Sequence, residues 1–467
     1  MGGRYTHLSC PRGRWSLRAA LRVEPEVSGA ATRGAVTTIL DQMAFYGLFG
    51  LLGFAPLALG AVQPWATFVL ESAAAALFVF WLVAQAKLGE IRISESPLFA
   101  PMAVFGVLIA LQILAGRTAY RYQTIHQGML YCAYGLLCFL VMQCLRKTSQ
   151  VNFLAYAATV YGVGLAVFAI FQSVSSNGKL YWFVTLSSGG WIYGPYVNHN
   201  HYAGLMEMLV PVPLVAALTH MVQKQQKMLA LGAAAVMAST IFLSGSRGGM
   251  IAFLVQIAIL GIFLVKRKKS RRLAFALAGF LVVLVGLVIW LGGSELGNRV
   301  ISIRSESSTE ISGGTRLAIV KDSWKMLIER PVMGWGLGNF PEVYPQYRSF
   351  YTNLFVNQAH NDYVQLLVEM GTVGFVIMLW FLGRMFYGAA GKLGNWASNI
   401  NGALTLAAML GCVGILVHSL VDFNLQIPAN AALFYVLCTL CAMEPRFPLL
   451  HHRSSFRRPA DSAGLSA

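Results

Sequence analysis

The sequence predicts an all-α polytopic membrane protein with about twelve transmembrane helices and one long outer loop. Three observations carry that prediction. Hydrophobic residues make up 57% of the chain and charged residues only 11%, against about 45–50% and about 25% in soluble domains. The apolar residues fall in runs that approach the roughly 20 residues a helix needs to cross a bilayer. Lysine and arginine gather in the short segments between alternate runs. The net charge of +17 is therefore read through the positive-inside rule, and no nucleic-acid partner is implied.

The runs, in order, are roughly 43–61, 65–85, 97–116, 128–145, 152–173, 200–220, 228–244, 249–265, 273–292, 367–388, 402–419 and 429–443. Glu71 and Glu207 are the clearest polar residues inside them. With a cytoplasmic N-terminus, 24 of the 35 Lys and Arg fall on the inner side, six of them in KRKKSRR (266–272). Seven of the remaining 11 lie in the loop 293–366. Both termini are then cytoplasmic and the long loop faces the other side. The chain divides into a basic tail (1–37), a membrane domain (38–445) that includes the loop, and a second basic tail (446–467). The first tail has no apolar core of a signal peptide, and both tails suit contact with membrane lipids of negative charge. None of the seven cysteines lies in the long loop, so no disulfide framework is implied. Cys438 and Cys441 read as small apolar helix residues.

This topology sets four polar segments on one side: 174–199, 244–249, 293–366 and 420–428. Loops that merely join helices are short, so the longest of these marks a site. Arg247 stands in SGSRGGM, where Gly245, Gly248 and Gly249 permit close backbone approach. A lone arginine at a membrane boundary snorkels to headgroups. One framed by glycines equally suits a bidentate grip on phosphate.

In the long loop, Ser312-Gly313-Gly314-Thr315 reads as a turn, followed by an amphipathic helix over 315–329. Leu317, Val320, Trp324 and Leu327 are expected on its packed face, with Arg316 in the first turn and Pro331 ending it. Arg316 is either a surface residue or an anion ligand. Gly334, Gly336 and Gly338 form a G-x-G-x-G run without the strand and helix of a dinucleotide fingerprint, and read as a tight bend.

His360 and Asn361 precede a helical pattern through Tyr363, Leu366, Leu367 and Met370, with Asn361 or Asp362 as N-cap. His360 is read as catalytic or ligand-binding, because imidazole can move a proton near pH 7. Glu369 is read as the partner of a buried basic group. Asn200 and His201 in GPYVNHNHYAG, and His418 and Asp422 in HSLVDFNLQIPAN, read chiefly as helix-pinning groups or supports for the arginines. His199, His201 and His360 lack a tight ligand spacing, so no metal is implied.

At these residues the chain resembles the O-antigen ligase/polymerase superfamily of bacterial envelope glycosyltransferases. The resemblance rests on the SRGG turn, on Thr315-Arg316, on the W…P…G-x-G-x-G-N-F run and on HNDY…E-G-x-x-G. It implies a fold similar to the integral-membrane class C glycosyltransferases, in the bacterial inner membrane, with the active site periplasmic. It implies a donor glycan on undecaprenyl diphosphate and an acceptor that is lipid A–core or a second lipid-linked glycan. It also implies inverting, metal-independent chemistry that needs no cofactor. Carried over, Arg247 and Arg316 would grip the diphosphate, and His360 would activate the acceptor hydroxyl or orient the diphosphate. Asn200, His201, Asn361 and Tyr363 complete the candidate substrate-binding set. Ligases and polymerases share these motifs. Ligation is preferred because no distinctive second glycan site is visible. Transfer to protein is less favoured, since the loop carries no extra domain. A transporter would need a polar path and an inverted repeat, neither of which is evident.

Overall fold

In a computed structural model, residues 27–89, 93–185, 193–219, 222–266, 275, 277–290, 313–352, 355–444 and 447 are described. Most of both basic tails, nearly all of the KRKKSRR run and the first part of the long loop lie outside these residues. The described chain is helical: α1 (Val27–Leu57), α2 (Pro64–Leu88), α3 (Phe99–Leu114), α4 (Arg121–Cys144), α5 (Thr148–Ser175), α6 (His199–Leu209), α7 (Pro211–Leu218), α8 (Lys224–Leu243), α9 (Arg247–Val265), α10 (Leu277–Trp290), α11 (Gly313–Glu329), α12 (Phe340–Val343), α13 (Asp362–Ala390), α14 (Ile400–His418) and α15 (Pro428–Ala442). Among the described residues, nine helical stretches are long and apolar enough to cross a membrane, with α6 and α7 counted as one, and three shorter apolar helices (α3, α10 and α15) join them. Each of the twelve runs read from the sequence overlaps one of these. The protein is a multi-pass, all-helical membrane protein.

The α6–α7 pair and α14 form the centre and are buried along most of their length. Small residues make this possible. A Cβ on Gly411 would lie 3.0 Å from the Met208 carbonyl oxygen, and one on Gly414 would lie 2.2 Å from Gln256 Nε2. Without a hydrophobic drive between helices in lipid, close backbone approach of this kind supplies the attraction.

The run expected at 200–220 is broken between α6 and α7. Pro211 has no N–H, so the Glu207 carbonyl loses its helical partner. Gln256 of α9 replaces it, donating from Nε2 to the Glu207 carbonyl at 2.7 Å and to the Leu410 carbonyl of α14 at 2.8 Å. Such replacement is needed where no water can serve the backbone.

α13 begins at Asp362, five residues before the apolar run, and kinks at Gly371 (φ 67°). The kink is filled by the segment after α11. Thr372 N donates to the Pro331 carbonyl (2.8 Å) and Val373 N to that of Val332 (3.3 Å). Kinks of this kind have an inserted group as their cause. Around the outer half of α13 lies a separate apolar cluster that includes Ile319, Met326, Trp335, Phe340, Tyr344 and Val368.

The packed face of α11 keeps Leu327 as expected but otherwise differs. Ile319, Asp322, Ser323, Met326 and Leu327 are buried, whereas Leu317 and Trp324 are about half exposed. The helix carries two apolar stripes, and the spacing of Leu317 and Trp324 picks out the outward one.

Candidate functional site

The N-terminal ends of α6, α13 and α15 and the C-terminal end of α14 are laced together around the loop 419–427. Asn361 caps α13, its Oδ1 accepting from Tyr363 N (3.0 Å) and Val364 N (3.1 Å). Its Nδ2 donates to the Leu420 carbonyl at 2.8 Å. The Tyr363 hydroxyl donates to the Leu416 carbonyl at 2.7 Å. The Asp362 carboxylate accepts from Ser419 Oγ (2.7 Å), Leu425 N (3.0 Å) and Gln426 Nε2 (3.2 Å). Asn430 Nδ2 donates to the His201 carbonyl (2.9 Å) and to Asn424 Oδ1 (3.2 Å). The polar groups of Asn361 and Tyr363 are thus engaged as tethers.

This lacing holds Asp422 as a hub. Its carboxylate, 1% exposed, lies 3.6 Å from Arg316 Nη1, 3.8 Å from His201 Nε2 and 3.9 Å from His360 Nδ1. Arg316 Nη1 also donates to the Val421 carbonyl at 2.9 Å. The Phe423 ring stands between the two imidazoles, with centroids 4.7 and 4.8 Å away. Burial alone would raise the Asp422 carboxyl, but His201, the Arg316 guanidinium and His360 more than offset it and hold it well below the usual carboxylate range.

His360 is lowered to about 4, first by burial and then by Arg316 and His201, with Asp422 opposing. Its ring is therefore neutral at pH 7. Its backbone is left-handed (φ 52°), a conformation that costs a non-glycine residue about 1–3 kcal/mol and that clusters at functional sites. His201 Nε2, His360 Nδ1, Asp422 Oδ2 and Arg316 Nε are all buried without a hydrogen-bond partner. Three such atoms around a carboxylate that itself has an unpaired oxygen are unusual, because buried polar groups are almost always paired.

Arg247 does not touch Asp422. It is the first residue of α9, exposed, and no described residue engages its guanidinium. Its chain neighbours reach the hub. A Cβ on Gly248 would lie 2.9 Å from Val421 Cγ2, on the residue whose carbonyl holds Arg316. Arg247, Arg316 and His360 therefore border one loop on one side of the helical body. Asn200 is buried beside His201 in the first turn of α6.

One reading changes. Among the described residues Glu369 meets no basic group; its carboxylate accepts from Gly338 N (2.8 Å), Phe340 N (3.2 Å) and Gln365 Nε2 (3.1 Å). It anchors the glycine run, which is a bend as expected, with positive φ at Gly334, Gly336 and Gly338. Asp362 and Phe423 were not singled out as site residues. The available signal was an acid in each of two outer segments, HND and VDF, within a strongly basic chain.

Two apolar clefts face outward elsewhere. One of about 480 Å³ runs between α1, α5, α7, α14 and α15, lined by Tyr46, Tyr161 and Leu433 among others. A second, of about 710 Å³, runs along α3, α4 and α13 and is lined by Phe105, Gly106, Tyr131, Ile377 and Phe381. Neither is lined by Arg247, Arg316 or His360.

A helical body of apolar spans with a buried polar hub at one end defines a multi-pass membrane protein. A family model described as "O-Antigen ligase" matches residues 232–379, which span the SRGG turn, α11, the glycine run and His360. The match supports the O-antigen ligase superfamily for this chain, as the motifs led one to expect. An uncharacterized protein of Haemophilus influenzae is 25% identical over 209 residues, which are 41% of this chain and 52% of that protein. The chain thus spans about half the length of the curated relative it matches.

Proposed function

We propose that the protein transfers a glycan from undecaprenyl diphosphate to lipid A–core or a related acceptor on the periplasmic face. The observation that supports this best is the gathering of Arg316, His360 and His201 at one buried carboxylate, with the free guanidinium of Arg247 at the next helix start. Arg247 and Arg316 hold the diphosphate, and Asp422 keeps Arg316 and the two imidazoles in place. The acceptor hydroxyl attacks the anomeric carbon of the donor in line, inverting it. The new C–O bond forms as the bond to the diphosphate breaks. The diphosphate leaves with the electron pair, and the two guanidiniums stabilise its charge. His360, neutral at pH 7, accepts the hydroxyl proton. The isoprenoid lies in the cleft along α13, the helix that His360 immediately precedes.

The test is reconstitution with a lipid-linked donor and two acceptors, lipid A–core and a second lipid-linked repeat. Glycan on lipid A–core is the expected product. Elongated lipid-linked glycan would make the protein a polymerase. No transfer to either acceptor, with the protein folded and the donor intact, would overturn the proposal.

A further inference from the structure

A second set of buried polar groups lies directly beneath Arg247. Glu207 of α6 and Ser246, the cap of α9, are each 0% exposed, and His418 at the end of α14 is 1% exposed. His418 Nδ1 is 2.8 Å from Glu207 Oε1, and His418 Nε2 is 3.3 Å from Ser246 Oγ. Ser246 Oγ in turn accepts from Gly249 N at 3.2 Å. One assignment of protons satisfies each of these contacts, leaving only Glu207 Oε2 without a partner: Nδ1–H donates to the carboxylate, and the serine hydroxyl donates to Nε2 while receiving the backbone N–H.

The two glycines after Arg247 belong to the same arrangement. A Cβ on Gly248 would fall 2.5 Å from His418 Cδ2, and one on Gly249 would fall 2.9 Å from Ala203 Cβ and 3.0 Å from Glu207 Oε1. The order Ser-Arg-Gly-Gly thus has a physical reading. It is a cap, a guanidinium, and two residues slim enough to seat the helix start on a histidine–glutamate pair. Serine, histidine and glutamate in this order also suggest an activated nucleophile. Ser246 is fully enclosed and committed as a helix cap, so that chemistry has no access.

We propose that Glu207, His418 and Ser246 are positioning residues that fix the first turn of α9 and so aim Arg247 at the donor diphosphate. The carboxylate also lies by the positive end of the α9 dipole, where negative charge is favoured. The aiming step rests on the glycan-transfer reading above; the bracket itself does not.

The test uses the full chain in nanodiscs. Amide hydrogen exchange over residues 244–250 reads the bracket without any donor, and binding of undecaprenyl diphosphate reads its consequence. In His418→Ala, exchange over that segment should rise by about tenfold or more, and diphosphate affinity should fall about 10–100-fold, the range of a lost charge-assisted bond. Glu207→Gln in the otherwise wild-type chain keeps an acceptor for Nδ1–H and should leave both readouts within about threefold of the wild type. Arg247→Lys should cost less in the His418→Ala background than in the wild type, the signature of coupled residues. Should His418→Ala not fold, Ser246→Gly takes its place, because glycine is itself a tolerated cap. Wild-type exchange in the variant that folds, or full additivity with Arg247→Lys, overturns the proposal. A wild-type protein that binds no prenyl diphosphate sinks the glycan-transfer reading, and exchange alone then decides the bracket.

Discussion

Asp422 and Glu369 are both buried acids near the start of α13: Glu369 lies within the helix, and Asp422 faces His360 just before it. Around Glu369 every contact is closed: two backbone N–H groups and one amide fill the carboxylate, and the glycine run docks against it. Around Asp422 one oxygen accepts from the adjacent Phe423 N at 2.8 Å, but the side-chain contacts stay open. Charged and imidazole nitrogens stand 3.6–3.9 Å away, beyond hydrogen-bond distance, and several have no other partner. The first pattern is how a fold satisfies polar atoms it must bury. The second leaves bonding capacity for something that binds. Satisfaction, more than residue type, separates scaffold from site here.

Substitutions should split along that line. His360→Ala is expected to show the largest effect, a loss of about 10²–10⁴-fold in kcat with normal insertion, the range of a general base. Transfer within tenfold of wild type would remove His360 from the mechanism. Arg316→Lys should lower kcat/KM by about 10–100-fold, because a point charge does not reproduce the planar fork. Glu369→Gln should do the reverse. We expect it to cost about 1–3 kcal/mol of stability by weakening the acceptor of two backbone N–H groups, measured as a lower Tm, with kcat per folded molecule near wild type. A large kcat loss at unchanged Tm would erase the distinction.

His360→Gly offers a finer probe. Relief of the left-handed backbone at φ 52° should stabilise the protein by about 1 kcal/mol while abolishing transfer. The smallest effect concerns pH. His360 is held at about 4, below the ordinary 6.5, so it stays unprotonated on acidification until that lower value. The acid limb of kcat/KM, which reports the free enzyme, should therefore fall near pH 4, with a flat profile from 5 to 7. A limb at 6.5 would mean that His360 is not desolvated as described.

The spans were legible because hydrophobic length is a local property, and each apolar run coincides with a helix. Helix ends were less so. α13 starts five residues early because its first turn is polar and is secured by Asn361, a contact invisible to hydropathy. The break at Pro211 was written in the sequence, but its tolerance depends on Gln256, some 45 positions away. The hub was the hardest to see. His201, Arg316, His360 and Asp422 come from four separate segments, and only folding shows that one carboxylate serves them all. Of the three residues named from their outer position, Arg316 and His360 stand at Asp422, and Arg247 begins α9, where its neighbour Gly248 lies against Val421.

The amide of Gln256 joins α6, α9 and α14 at one depth. These helices carry His201, Arg247 and His418, and a shared staple in a water-free layer lets them tilt only as a unit. That side of the molecule therefore acts as a stiff wall. On the opposite bank, α11 and the segment before α13 reach Asp422 through Arg316 and His360 at 3.6 and 3.9 Å, longer contacts that yield more readily than the staple.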